Sequence, residues 1–199
     1  MKRKKKAFTV IEMIITLAIT VMIIEIVSSI FITGNKIFSD SDIKSTLQIE
    51  AQKIQETISE IGMQSVSIEE YKESINAENI ANKEYADLLN DKEFINLSEA
   101  KFKCYSKDTE YDSENNILTN VESRIISYNK ALKTLSVDSK VISENVESIK
   151  IRPNNIKNTN STINEASSIE FDIILTKKKV PSDIVYPINF AVTFRNNRR

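Results

Sequence analysis

Apolar and polar positions are arranged in three different ways along this chain, and each change of pattern predicts a change of structure. Residues 8–32 form a stretch of 25 mostly apolar residues, interrupted by Glu12 and Glu25. About 20 helical residues cross the hydrocarbon core of a bilayer, so the stretch predicts a helix that is apolar all round. Beyond Gly34 the apolar positions thin to one stripe. Ile43, Leu47, Ala51, Ile54, Ile58 and Ile61 recur every three or four residues, with Lys44, Gln48, Glu50, Lys53 and Glu56 between them. That is the periodicity of a helix packed by one face. The stripe ends near Gly62. The two patterns together predict one helix from Phe8 to about Gly62 which, if it loosens anywhere, loosens at Gly34.

Residues 66–90 are charged and carry two candidate surface helices, 69–75 and 78–89, with Tyr71 and Tyr85 as packing residues. From Phe94 the period shifts toward two. Strands are predicted at 101–105, at 124–128 and 132–137 flanking the turn Asn129-Lys130-Ala131, at 141–151 after a small bend, at 168–175 and at 188–194. Polar stretches at 107–116 and 152–166 read as loops, and Lys177-Lys178-Lys179 with Pro181 as a turn. The expected fold is α+β: a long N-terminal helix, transmembrane and then amphipathic, packed on a C-terminal antiparallel sheet. The expected divisions are a leader at 1–7, a membrane or fibre-core helix at 8–33, a stem helix at 34–62 and a globular domain at 63–199.

Charge sharpens the first of these. The chain carries a net charge of −1, yet Lys2, Arg3, Lys4, Lys5 and Lys6 contribute five positive charges. The remainder is therefore acidic. The basic cluster is an N-terminal address, and no direct nucleic-acid contact is expected. Placed before an apolar run, it should stay cytoplasmic, giving an N-in, C-out single pass. No small-x-small cleavage site follows Ile32, so an ordinary secretory signal is not expected. A carboxylate at Glu12, so early in the run, is costly in lipid unless it is partnered or reaches the headgroups. Glu25 lies 17 residues beyond Phe8, roughly 26 Å along a helix, which places it near the outer interface, solvated there or in contact with another subunit.

The chain has no histidine, no tryptophan and one cysteine, Cys104. No intramolecular disulfide is possible, the commonest general base is missing, and Cys104 reads as a small packed side chain on a strand. Asp108, Glu110, Asp112 and Glu114 alternate as in a calcium loop, but the central Gly and closing Glu of an EF-hand are missing. No metal and no cofactor is expected, and no enzymatic activity.

The segment Lys6-Ala7-Phe8-Thr9-Val10-Ile11-Glu12 resembles the class III signal of type IV prepilins and pseudopilins. In that family a basic leader ends in a small residue, usually Gly. A membrane peptidase cuts after it and methylates the new N-terminal residue, usually Phe. The resemblance implies cleavage between Ala7 and Phe8, N-methylation of Phe8, and Glu12 as the fifth mature residue. Glu12 would then pair with the N-terminal amine of a neighbouring subunit. Ala7 departs from the usual Gly, and the family's Gly and Pro breaks within the apolar run are absent. Residues 141–151, 169–175 and 190–196 also follow the strand order of the larger minor pilins, including the J-type pseudopilin of the general secretion pathway.

The resemblance implies a minor pilin or pseudopilin, a structural, assembly-initiating subunit of a type IV pilus or a secretion or competence pseudopilus. Its implied partners are other pilins, the prepilin peptidase, the assembly platform and the motor ATPase. It would sit in the cytoplasmic membrane before assembly and in an extracellular filament afterwards. The alternative is a signal-anchored extracytoplasmic enzyme or ligand-binding domain. A long stem helix with an apolar face is unneeded for a simple anchor.

Overall fold

The computed structural model describes residues 9–73, 94–111, 117–154 and 162–194. Two compact units divide the chain, Met1–Ile43 and Lys44–Arg199, and helix α1 (Val10–Gln64) contributes to both. Both glycines of the chain, Gly34 and Gly62, lie within α1 and neither ends it. No proline falls in its 55 residues, so nothing removes a backbone donor or kinks it.

In the first unit the described residues are helical from Val10 onward, and from Val10 to Ile32 every large apolar side chain is at least 49% exposed. In the second, α1 turns its stripe inward: Leu47, Ala51, Ile54, Ile58, Ile61 and Gly62 are buried. The first five are the predicted stripe residues apart from Ile43, which is half-buried, and Gly62 joins them.

Among the described residues, nine strands accompany the helix in the second unit, all their pairings antiparallel. β1 (Ser65–Lys72), β3 (Glu99–Tyr111), β4 (Ile117–Asn129), β5 (Thr134–Val137) and β6 (Lys140–Ser143) form a five-stranded sheet in the order β1-β3-β4-β5-β6. β2 (Ile95–Asn96), β7 (Val146–Asn154), β8 (Ser168–Lys177) and β9 (Ile184–Thr193) form a four-stranded sheet in the order β2-β7-β8-β9. The expected α+β layout is present, with two sheets in place of one.

The differences have physical causes. Residues 69–72 are strand and not helix, because two bulges interrupt the β1–β3 register, at Ser65/Ser67 and Ile68/Glu70. A bulge adds one residue on one side of a pair. The buried positions Ser65, Ile68 and Tyr71 therefore recur every third residue, a helix-like spacing on a strand. The predicted helix at 78–89 and Tyr85 lie outside the described residues. Residues 107–111, predicted as loop, continue β3, where Thr109, Glu110 and Tyr111 pair with Thr119, Leu118 and Ile117. Residues 152–154, also predicted as loop, continue β7. Within the rest of that stretch Ile163 and Ala166 are fully buried around a one-turn 3-10 helix, Ile163–Glu165.

Residues 141–151 are two strands in two sheets, because the chain crosses over at Glu144 and Asn145. An earlier crossing, from β2 of the second sheet back to β3 of the first, is at Leu97. Its N–H donates to Ile149 O of the second sheet at 3.0 Å, while the next residue, Ser98, bonds Lys72 and Tyr128 of the first. The last strand begins at Ile184 and accommodates Pro187, as β9 is the edge of its sheet.

The predicted β4–β5 hairpin is present, with Ile126 opposite Val137 and Asn129 opposite Thr134. Its turn is longer than three residues. Asn129 Oδ1 accepts the N–H groups of Ala131 and Leu132 at 3.0 and 3.1 Å, and Lys133 takes a positive φ of 56°. β5 and β6 meet in a two-residue turn whose residues Asp138 and Ser139 both have positive φ, as the twist of a tight hairpin requires.

The core is continuous across these elements. Phe102 of β3 meets Phe194, beyond β9, edge to face at 6.1 Å. Phe171 and Phe190, register partners on β8 and β9, stack at 5.4 Å. Each such ring pair contributes about 1 kcal/mol beyond its burial. Cys104 is buried, as expected, with its Sγ 3.3 Å from Ser65 Oγ. Tyr71 is fully buried and its hydroxyl donates to Asn96 O.

Candidate functional site

The site singled out by the sequence is the start of α1. Thr9 precedes the first helical residue and Glu12 is the third residue of the helix. Thr9 N–H and Thr9 Oγ1 donate to Glu12 Oε2 at 2.9 and 2.8 Å, and Glu12 N–H returns a bond to Thr9 Oγ1 at 3.4 Å. This reciprocal arrangement is a capping box. It satisfies two backbone donors that a helix start leaves without partners, and it places a negative charge at the positive end of the helix dipole. The carboxylate that looked misplaced in an apolar run therefore has a local partner. Both bonds from Thr9 fall on one carboxylate oxygen. The signal for it is present in the sequence as Thr-x-x-Glu immediately before an apolar run, and reasoning from sequence missed it.

Further along, hydroxyls in the run are absorbed by the helix itself. Thr16 Oγ1 donates to Met13 O at 2.9 Å and Thr20 Oγ1 to Thr16 O at 2.7 Å. This back-bonding keeps both hydroxyl donors partnered within the helix itself. By length and composition this helix can cross a membrane, and none of its most apolar window is buried. Glu25 stands on the same helix, 13 residues after Glu12. The basic cluster Lys2, Arg3, Lys4, Lys5 and Lys6 and the Ala7–Phe8 bond lie outside the described residues.

Reasoning from sequence also missed a second polar cluster, where the stem meets the domain. Glu50 accepts Ser143 Oγ at 2.8 Å and Asn145 Nδ2 at 2.8 and 3.0 Å. Its partners lie more than 90 residues away in the chain, and periodicity carries no information about that.

Two hollows occur beside the crossing at Leu97. The larger, about 560 Å³, is lined by hydroxyls and amides, with Glu99 and Lys130 as its charged groups. The smaller, about 110 Å³, shares Tyr128 and Lys130 with it. The Tyr128 hydroxyl is engaged, donating to Val146 O and Glu147 O at 3.2 and 2.7 Å. Glu99 pairs with Lys72 at 2.6 Å. No nucleophile–base pair converges on either hollow among the described residues. No group of three or more metal-ligating side chains occurs among them, and the side chains of the acidic loop around Asp108, Glu110, Asp112 and Glu114 lie outside them.

Comparison of the chain with protein-family models, with curated proteins and with solved structures finds no match.

Proposed function

We propose that the chain is a minor pilin or pseudopilin: a subunit held in the cytoplasmic membrane by residues 8–33, N-in and C-out, then moved into a filament. The observation that carries this reading is the continuity of α1. A helix that begins in a capped Glu12 and is exposed and apolar to Ile32 continues through Gly34 into a stripe seated on an α+β domain. A plain anchor needs a span and a linker. It does not need the span to be the upper half of the helix that the domain is built on.

In this reading the prepilin peptidase cuts between Ala7 and Phe8 and methylates Phe8. The freed amine of one subunit is then the partner for Glu12 of its neighbour, each charge offsetting the desolvation of the other inside the fibre. Other pilins cover the exposed apolar face in the filament as lipid covers it in the bilayer. The assembly platform and motor ATPase supply extraction. The protein's own contribution is structural.

Mass spectrometry of the N-terminus of the protein purified from membranes tests this. The expected mature chain starts at N-methyl-Phe8. A chain that keeps Met1 and the basic cluster would instead support a signal-anchored extracytoplasmic domain.

A further inference from the structure

We propose that the two hollows beside Leu97 form one binding site for an N-acetylated hexosamine, the larger taking the sugar ring and the smaller its acetamido group. The site lies wholly within the Lys44–Arg199 unit. It is independent of the reading of residues 8–33.

The larger hollow is a consequence of register. Burial alternates along β4 and β5. Ile126, Tyr128, Leu135 and Val137 face the core, while Ser127, Thr134 and Ser136 are half-buried on the other face. Antiparallel pairing sets Ser136 opposite Ser127 and Ser127 opposite Glu99, with Asn129 opposite Thr134 in the next row. Two residues beyond Glu99 on the same face, Lys101 bridges to Glu69 and Glu70, and long side chains cover the strands. At the serine rows the side chains are short, and about 560 Å³ is left open above them. Paired side chains on neighbouring strands stand about 5 Å apart and same-face side chains along a strand about 7 Å, which is the scale of a sugar ring.

The lining has hydrogen-bonding capacity to spare. Among the described residues, the hydroxyls of Ser127, Thr134 and Ser136 bond to no protein group. Those of Thr57, Ser123 and Ser143 do. Asn129 commits its Oδ1 to the N–H groups of Ala131 and Leu132, which leaves its Nδ2 to donate elsewhere. A hydroxyl both donates and accepts, as each hydroxyl of a sugar does. The charges alongside are already engaged. Glu99 bonds Lys72 at 2.6 Å. Lys133 holds the Glu147 carboxyl below its usual range, and the charge of Lys130 adds to this. The site therefore offers neutral hydrogen bonds to a neutral ligand.

The smaller hollow selects among such ligands. Its 110 Å³ or so adjoins the larger at Tyr128 and Lys130 and is lined by buried Leu97 and Ile149, with Asn96 and Ser148 beside them. The apolar side chains suit a methyl group, and the two polar ones suit the amide that carries it. Serines selected only for solvation account for the hydroxyls, but not for an apolar recess next to them.

Saturation-transfer NMR and calorimetry test this on the full chain in phosphocholine micelles, which contain no sugar. The probes are the β1,4-linked disaccharide of N-acetylglucosamine and cellobiose, which has the same linkage without acetamido groups. The expected result is millimolar binding of the first, with the acetyl methyl protons receiving the strongest saturation, and at least about tenfold weaker binding of cellobiose. Ser127→Val/Ser136→Val, on the solvent face of two strands, should weaken the first by about tenfold, as the loss of two hydrogen bonds implies. The cellobiose arm needs no variant and so does not depend on that variant folding. No saturation transfer to either disaccharide overturns the site. Equal binding of the two overturns the acetamido recess. Binding unchanged in the folded double variant places the sugar elsewhere and overturns the hydroxyl rows as its seat.

Discussion

Asn145 grips Glu50 from 95 residues away, its Nδ2 lying 2.8 Å from one carboxylate oxygen and 3.0 Å from the other. The first of these residues sits where the chain leaves one sheet for the other. The second sits on the stem helix, three residues beyond Leu47, whose side chain is fully buried. Ser143, itself buried, donates to the same carboxylate. The crossover is thereby fixed to the helix by side-chain bonds and not by backbone pairing.

Glu50→Ala should therefore destabilise the domain by about 1–3 kcal/mol, since it leaves the Ser143 hydroxyl and Asn145 amide without their acceptor. Asn145→Ala should cost less, because Ser143 keeps its partner. The double variant should cost clearly less than the two changes added together. Denaturant unfolding of the three variants checks this, and strict additivity would refute the coupling.

The two glycines of α1 should respond in opposite directions. A Cβ at Gly62 would lie 1.8 Å from Val192 Cγ1, whereas a Cβ at Gly34 meets nothing within 4 Å. Gly34→Ala should be neutral or stabilise the helix by up to about 1 kcal/mol. Gly62→Ala gains the same propensity, but must displace a packed β-branched side chain, which costs about 1–3 kcal/mol. The steric effect should win at Gly62. Adding Val192→Ala should recover part of the loss, and melting temperatures of the single and double variants decide it.

At the start of α1, Thr9→Ala and Glu12→Ala both remove the capping box. On the proposed function they should part company further on. Both chains should still be cut at Ala7–Phe8. Glu12→Ala should be poorly incorporated into filaments, while Thr9→Ala keeps the carboxylate and should assemble better. Mass spectrometry and the sheared filament fraction read the two steps separately. Filament levels of Glu12→Ala equal to those of the unmodified chain would remove the charge pairing.

Stability against pH should show a broad plateau. The ammonium of Lys101 hydrogen-bonds Glu69, and that of Lys133 hydrogen-bonds Glu147, holding both carboxyls below their usual range. Their contribution is complete above the unfolded value of about 4.3 and is lost as pH falls through the lower folded values. Glu99 and Glu69 hold the ammonium groups of Lys72 and Lys101 above theirs. Those contributions are complete below about pH 10.4 and are lost as pH rises through the higher folded values. These pairs are exposed and each is weak. Burial also pushes up the phenols of Tyr71 and Tyr128. Tyr71 stays protonated in the fold while the phenol of the unfolded chain ionises near pH 10, so its contribution is complete below about pH 10 and is lost as pH rises further. Thermal midpoints should be flat from about pH 5 to 9, with a steeper fall on the alkaline side. Tyr71→Phe should soften that alkaline limb.

The sequence made legible what local period controls. The stripe from Leu47 to Ile61 is apolar every three or four residues, and it is the buried face of α1. The alternation of Ile169, Phe171, Ile173 and Leu175 is the buried face of β8. What it hid depends on partners far along the chain. The bulges of β1 turn a strand's period into three. A strand pair such as 109 to 119 is held by backbone bonds whatever its side chains. The crossing at Asn145 looks like a small bend until Glu50 is beside it. At the candidate site the odd carboxylate is visible at once, whereas its partner Thr9, three residues earlier, passes for one more residue of the leader motif.

The sheets are interleaved along the chain, β2 of the second preceding β3 of the first. No single cut separates one sheet from the other, so the domain should melt in one cooperative transition. The seat of Gly62 is supplied by Val192, close to the end of the 199 residues. Synthesis runs from the N-terminus, so on the proposed function the apolar run is available to the membrane before Val192, the seat of Gly62, has been made. On that reading insertion and folding are separate events in time, and the stem helix is made before the strands that cover it.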